Sequence, residues 1–359
     1  MMHDDGTRLL FGCMGLGGGW EKGPIEAADV ATAHAAIDAA LQAGITVFDH
    51  ADIYRGGKAE EVFGRVLADR PGLAASLHLQ TKCGIVLGTA EAPGRYDSSA
   101  RAIAARVDES LARLGVERID TLLIHRPDPL TPPEEIAAAF AALRAAGKVG
   151  RLGVSNHSGA QMARLQAVLD EPLAVNQLQL SLGHRGWLES SVMVNALDPD
   201  GQGPVPNGAG PHDPRPAAAA ASFPQGTLEY CADHGVELQA WGAMDRGRYT
   251  RGPAAAPRGP WSTAADDASH PTPAGATAGH SADAHATALV ARLAEELGCR
   301  PEAVVLGWLM RHPAAIRPVI GTTNPARIAA CTDAEAVAAR MSGEDWYGLW
   351  TAARGEPLP

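Results

Sequence analysis

No stretch of this 359-residue chain reaches the roughly 18 uninterrupted apolar residues that a membrane-spanning helix needs. The opening MMHDDGTRLLFG is acidic before it is apolar, the reverse of a secretory leader, so a cytoplasmic location is expected. Basic residues are in deficit: 30 Lys and Arg against 41 Asp and Glu leave a net charge of −11. No basic stripe stands out, which argues against a nucleic-acid backbone or an anionic membrane as main partner. Cys13, Cys83, Cys231, Cys299 and Cys331 form no CxxC pair, and their odd count suits reduced thiols better than a disulfide framework. HxH and HExxH are missing too, so no metal site is expected.

What remains describes a soluble globular protein. Hydrophobic residues make up 46% of the chain and charged ones 20%, ample for a core. The length exceeds the ~100 to 200 residues typical of one domain, yet α/β barrels use ~250 or more as one unit. A single domain over residues 1–359 is therefore expected.

Short β-type runs recur along the chain: LLFGCM, ITVFDH, LHLQTKC, IDTLLIH, VGRLGVS, LAVNQLQL, VELQAWG and IRPVIG. Helical patterns lie between most of them, which implies parallel βαβ units, and eight such strands suggest a closed (β/α)8 barrel. In TPPEEIAAAFAALRAAGK, Thr131 reads as N-cap, Pro132 as N1, Glu134 as the closing residue of a capping box and Gly147 as the stop. Ile103, Val107, Leu111 and Leu114 form an apolar stripe ending at Gly115. Glu60 and Glu61 read as first-turn charges favourable to a helix N-terminus. Two Pro/Gly/Ala-rich stretches, at about 198–224 and 248–280, follow the sixth and seventh strands. In a barrel such insertions lie over the C-terminal mouth and border a substrate pocket.

The chemistry concentrates at strand ends. Asp49 and Tyr54 in FDHADIY, Lys82 in LQTKCGI and His125 in LLIHRPDPL all fall at, or just beyond, the C-terminal ends of successive strands, where a barrel would bring them together. When hydride reaches a carbonyl carbon, the oxygen gains charge and needs a proton. A phenol, with a free pKa of ~10, is a poor acid until a cation such as Lys82 favours its phenolate. Asp49 would hold the ammonium and compensate its burial, and His125 could donate a second hydrogen bond to the oxygen.

With these motifs in order, the chain resembles the aldo-keto reductases, in particular a bacterial branch carrying HRPDPL. GKVGRLGVSNHS, NQLQLS, QAWGAM and RPVIGTTNPARI extend the match from about Leu9 to the C-terminus, the two insertions excepted. The resemblance implies a barrel that uses NADPH and a tetrad of Asp49, Tyr54, Lys82 and His125 to reduce a small carbonyl substrate. It also implies Ser155, Asn156 and Gln177 around the nicotinamide carboxamide, with Trp241 stacked on the ring. Backbone near Cys13 and Met14 falls beside the nicotinamide, Gly242 and Met244 by the pyrophosphate, and Gly321, Thr322 and Arg327 by the adenosine phosphate. Many relatives carry Lys at the Gly321 position and Asn or Gln at Cys331, so Arg327 alone would grip the 2′-phosphate and NADH stays possible. Trp20, His50, Arg126 and Trp187 are expected to line the substrate site. An NADPH-binding regulatory subunit with little turnover is the alternative reading, and a metal-dependent barrel hydrolase, lacking its ligand pattern, a remote third. Oligomeric state is not legible.

Overall fold

A computed structural model of the chain describes residues 7–192, 223–250 and 277–358. These fall into two compact units, one drawn from Met1–Gln179, Gly226–Trp241 and Ala314–Ala329, the other from Leu180–Gln225, Gly242–Pro313 and Ala330–Pro359. Nearly all of the two predicted insertions lies outside the described residues.

The first unit contains a closed barrel of eight parallel strands. In chain order the strands are β1 (Leu10–Gly12), β2 (Val47–Asp49), β3 (His78–Cys83), then β6 (Ile119–Ile124), β7 (Val149–Ser155), β8 (Val175–Gln179), β9 (Glu237–Trp241) and β10 (Arg317–Ile320). A two-stranded antiparallel hairpin, β4 (Ile85–Val86) and β5 (Arg95–Tyr96), follows β3. Around the barrel the order is β1-β10-β9-β8-β7-β6-β3-β2. The eight barrel strands are the eight read from the sequence, β7 in full and the others trimmed by one or more residues.

Helices α1 (Ala27–Gln42), α2 (Lys58–Asp69), α3 (Ala100–Leu114), α4 (Pro133–Ala145), α5 (Gly159–Gln166), α7 (Thr227–Asp233) and α10 (Pro325–Ala329) belong to the same unit. The predicted stripe on α3 is buried, Ser99 caps its start, and Gly115 ends it with φ +67. Helix α4 begins one residue later than expected, with Pro133 at N1 after an extended Pro132. Thr131 is no cap: its hydroxyl donates instead to Asp128 Oδ2 at 2.6 Å. The capping box assigned to Glu134 does not form, since the helix starts without a side-chain cap.

A strand alternates its side chains, so residues two apart share a face. Phe48, facing out from β2, packs on Phe63 of α2 (5.1 Å between centroids) and on Phe11 of β1 (5.6 Å). The opposite parity places Asp49, Gln80 and Lys82 on the bore side. Glu60 and Glu61 do lie in the first turn of α2, and Glu60 does more besides: it is fully buried, accepts from Thr81 Oγ1 at 2.6 Å and pairs with Arg113 Nε at 2.8 Å, so it ties α2 to β3 and α3.

The second unit holds α6 (Gly186–Val192), α8 (Thr277–Leu297), α9 (Pro301–Met310), α11 (Ala334–Arg340) and α12 (Gly343–Arg354). Trp308 and Trp346 stack at 5.3 Å and 12°, and each indole N–H donates to the other's carbonyl oxygen, at 3.0 and 2.9 Å. Trp187 meets Trp308 edge-on at 6.0 Å. No helix among the described residues is long and apolar enough to cross a membrane.

Candidate active site

Strand β2 ends at Asp49, paired in register with Gly12 on β1 and Gln80 on β3. Two residues beyond Gln80, on the same face, stands Lys82. Both charges are buried, Asp49 at 2% and Lys82 at 1% exposure, a situation that is stable only if they pair. They do: Lys82 Nζ lies 2.7 Å from Asp49 Oδ2. The ammonium has three protons and three acceptors, for it also donates to the His50 carbonyl at 2.8 Å and the Tyr54 hydroxyl at 3.2 Å.

Tyr54 reaches that position through a tight reversal. The Asp52 N–H donates to the Lys82 carbonyl, a 3-10 turn covers Tyr54–Gly57, and Arg55, Gly56 and Gly57 run at φ +54, +67 and +94 before α2 begins. A left-handed conformation disfavours a residue with a Cβ. Arg55 is held in it by a bond from its Nε to the Met14 carbonyl at 3.0 Å.

His125 follows β6, its N–H bonded to the Cys83 carbonyl at 2.8 Å, and its ring meets that of Tyr54 edge-on at 6.0 Å. Its Nδ1 is sealed from solvent and lacks a hydrogen-bond partner among the described residues. Burial, then Lys82 and Arg126, hold the imidazole pKa well below its usual value, so the ring is neutral near pH 7. The phenol departs from the expected direction. Lys82 does pull the Tyr54 pKa down, but burial outweighs it and leaves the group above its ordinary value. Burial likewise works against the Lys82 charge, yet Asp49 and Tyr54 more than offset it and raise the ammonium's pKa. The resting centre is thus a protonated phenol beside a fixed ammonium, and a neutral imidazole.

The second group gathers at the ends of β6 to β9. Ser155 Oγ donates to the Gln177 carbonyl at 2.8 Å. Asn156, left-handed at φ +61, donates through Nδ2 to the His125 carbonyl (3.1 Å) and to Ser155 Oγ (2.8 Å), and its Oδ1 accepts from Trp241 Nε1 at 3.0 Å. Arg126 lies over the Trp241 ring at 5.9 Å. Asn156 is therefore the knot that fixes the indole against the histidine loop.

In the segment after β10, Thr322 Oγ1 accepts from Asn324 N, and Asn324 Oδ1 accepts from the N–H groups of Ala326 and Arg327 at the start of α10. A side chain at Gly321 would meet nothing within 4 Å. After β1, Cys13 buries its thiol, while Met14 is exposed and its carbonyl engaged by Arg55. Gly242 (φ +67) and Met244 belong to the second unit.

Two expected lining residues are core residues instead. His50 is fully buried edge-on to Phe63 at 4.6 Å, because, one residue past β2, it shares the outward parity of Phe48. Trp187 is 1% exposed against Trp308. Trp20 remains partly exposed under Arg55, at 5.3 Å. Sequence reasoning missed Gln80 and Gln239, both buried on the bore side. The available signal was an amide inside each of the apolar runs LHLQTKC and VELQAWG, two residues from Lys82 and Trp241. Among the described residues no group of three or more His, Cys, Asp or Glu could hold a metal ion.

Comparison with known proteins agrees with this geometry. A model of the aldo/keto reductase family matches residues 8–197 and 220–346. An uncharacterized oxidoreductase, YcsN, of Bacillus subtilis is 32% identical over 90% of this chain and 88% of its own. The 6-dehydroglucose reductase of Agrobacterium fabrum is 32% identical over 98% of this chain and 96% of its own. Among solved structures, the glycerol dehydrogenase AKR11B4 of Gluconobacter oxydans superposes with a TM-score of 0.71 at 26% identity, covering 98% of this chain and 93% of that one. A closed parallel barrel, strand-end chemistry and matches along nearly the whole length lead to one conclusion: the chain is an oxidoreductase that belongs to the aldo/keto reductase family.

Proposed function

We propose that this enzyme reduces an aldehyde or ketone to the alcohol with NADPH, Tyr54 supplying the proton. The observation that carries the reading is the Lys82 ammonium, shared between Asp49 Oδ2 and the Tyr54 hydroxyl. A carbonyl oxygen beside the phenol gains negative charge as the reaction proceeds, and the phenolic proton moves onto it. The phenolate left behind is stabilised by the ammonium 3.2 Å away, so Lys82 acts when charge develops even though burial keeps Tyr54 protonated at rest. Asp49 fixes the ammonium and keeps it charged. His125 is neutral, so it orients the carbonyl as a hydrogen-bond donor and does not compete as the acid.

The donor set fits the cofactor of the family. Ser155, Asn156 and Gln177 offer hydroxyl and amide groups suited to a carboxamide, the partly exposed Trp241 offers an aromatic face, and Arg327 with Thr322 offers charge and a hydroxyl to a phosphate. Bound there, the reduced nicotinamide supplies the hydride. Cys13 and Met14 flank the ring. With Arg327 as the cation at the 2′-phosphate, NADPH is preferred and NADH is accepted. The names of the relatives in Agrobacterium fabrum and Gluconobacter oxydans point to polyhydroxylated, sugar-like carbonyl compounds as the first substrates to try.

The test is NADPH oxidation, followed by absorbance, with a panel of simple and polyhydroxylated aldehydes and ketones. Tyr54→Phe should bind NADP+ as wild type does and lose turnover by a factor on the order of a hundred to ten thousand. Wild-type rates in that variant would remove Tyr54 as the acid.

A further inference from the structure

Three glutamines stand in the barrel bore, Gln80 on β3, Gln177 on β8 and Gln239 on β9, each at 1% exposure. A buried amide is costly unless its donors and acceptors are met. Gln80 Nε2 donates to Asp49 Oδ1 at 2.6 Å and to Gln239 Oε1 at 2.8 Å. Gln239 Nε2 donates back to Gln80 Oε1 at 3.1 Å and to Glu237 Oε1 at 2.8 Å. Gln239 Oε1 takes a second bond, from Gln177 Nε2 at 3.0 Å. Strands β3 and β9 are not neighbours in the barrel, so the paired amides cross the bore.

The orientation of each amide follows from the ends of this chain of bonds. The carboxylates at both ends accept: Asp49 pairs with Lys82 Nζ at 2.7 Å, and Glu237 pairs with Arg317 Nη1 at 3.0 Å. Turning over either Gln80 or Gln239 would aim a carbonyl oxygen at a carboxylate. Fixed this way, Gln239 presents its oxygen to Gln177, whose amide nitrogen is then engaged and whose Oε1 is left to accept from the –NH2 of a carboxamide. At the other end, Asp49 is gripped at both oxygens, by Lys82 and by Gln80, which stops it from rotating and keeps the ammonium in reach of Tyr54.

We propose that Gln80 and Gln239 are positioning residues, and that their paired amides couple the Asp49–Lys82–Tyr54 proton donor to Gln177 at the nicotinamide. The inference rests on the functional reading given above and extends it to residues that touch neither substrate nor cofactor. Gln80 acts on the proton donor, and Gln239 acts on both ends.

Methionine matches glutamine in length and removes the hydrogen bonds. Gln80→Met should lower kcat by about tenfold and leave the dissociation constant for NADP+, read from tryptophan quenching without any turnover, within about twofold of wild type. Gln239→Met should lower kcat and also weaken NADP+ by about fivefold. In Gln177→Met/Gln239→Met the cofactor should bind no worse than in Gln177→Met alone, because the two share one bond. Wild-type kcat in Gln80→Met, or independent effects of Gln177→Met and Gln239→Met on NADP+, would overturn the coupling and leave a packing role. Should the methionine variants not fold, Gln239→Glu keeps both acceptor positions. NADP+ should then bind more tightly as the pH falls and the introduced carboxyl regains a donor proton, and a dissociation constant that tracks wild type at every pH overturns the proposal. A wild-type protein that binds no NADP+ defeats the functional reading and this inference together. Wild-type turnover with indifferent glutamine variants defeats this inference alone.

Discussion

Replacing Asp52 by asparagine should reshape the dependence of stability on pH. Asp52 lies just beyond β2 with its carboxylate 1% exposed; among the described residues neither oxygen has a hydrogen-bond partner, and Arg106 Nε pairs with it only at 3.7 Å. Burial, with added repulsion from Glu60, pushes its pKa up to about 7. The unfolded chain holds this group near ~3.9. Between roughly pH 4 and 7 the native state therefore keeps a proton that the unfolded state has released, and stability falls as pH rises, by ~1.4 kcal/mol per unit and ~4 kcal/mol in all. His50 has the opposite sign. Buried with both ring nitrogens unpartnered among the described residues, its pKa is pushed down to about 3, so it adds stability as pH rises from ~3 to ~6.5. The two slopes cancel between about pH 4 and 6.5. Asp52→Asn removes the falling arm alone, and urea unfolding from about pH 4.5 to 8 should show the variant gaining on wild type up to about pH 7 and then holding a constant margin. The buried amide adds a pH-independent offset of ~1 to 3 kcal/mol, so the slope is the diagnostic. A stability difference that is flat across this range would refute the assignment.

Other outcomes follow from the same contacts. Lys82→Met leaves Asp49 buried without its counterion and should cost ~3 to 5 kcal/mol of stability, whereas Asp49→Leu/Lys82→Met should recover most of that stability and none of the activity; equal losses in single and double variants would contradict the pairing. Because His125 is held neutral, kcat/KM should show no limb near pH 6.5 that His125→Asn abolishes, and such a limb would mean an imidazolium takes part. Arg327→Ala should raise KM for NADPH and spare NADH; equal effects would remove the 2′-phosphate contact. At Gly64 an added Cβ would overlap the Arg113 carbonyl oxygen, where α2 approaches α3, so Gly64→Ala should lower the melting midpoint through a shift worth ~1 to 3 kcal/mol.

Strand positions were legible because each apolar run is bounded by turn residues, and because Asp49, Lys82 and His125 are polar residues at the ends of runs that otherwise bury. Tyr54 was legible in FDHADIY as a titratable residue just past the strand-end Asp49. What escaped depends on contacts distant in sequence. Glu60 looks like any first-turn acid until Thr81 and Arg113 are seen beside it. The direction of the Tyr54 shift turns on a contest between burial and Lys82, and a sequence gives the ammonium but not the degree of burial. Gln80 and Gln239 are 159 positions apart, and only closure of the barrel brings their amides together. The α4 start was misplaced by one residue because Pro132 stays extended as the residue before the helix, while the Thr131 hydroxyl donates back to Asp128.

The doubly bonded Trp308–Trp346 stack has an experimental use. Two indoles nearly parallel in a rigid, dry setting absorb as a coupled chromophore, so circular dichroism in the aromatic region should carry a signature of α9 meeting α12. Trp241, by contrast, is a partly exposed indole in the other unit, as Trp20 is, and stands at the barrel mouth, suited to emission quenching. One sample thus contains two optical reporters, by which melting of the helical unit can be timed separately from events at the mouth of the barrel.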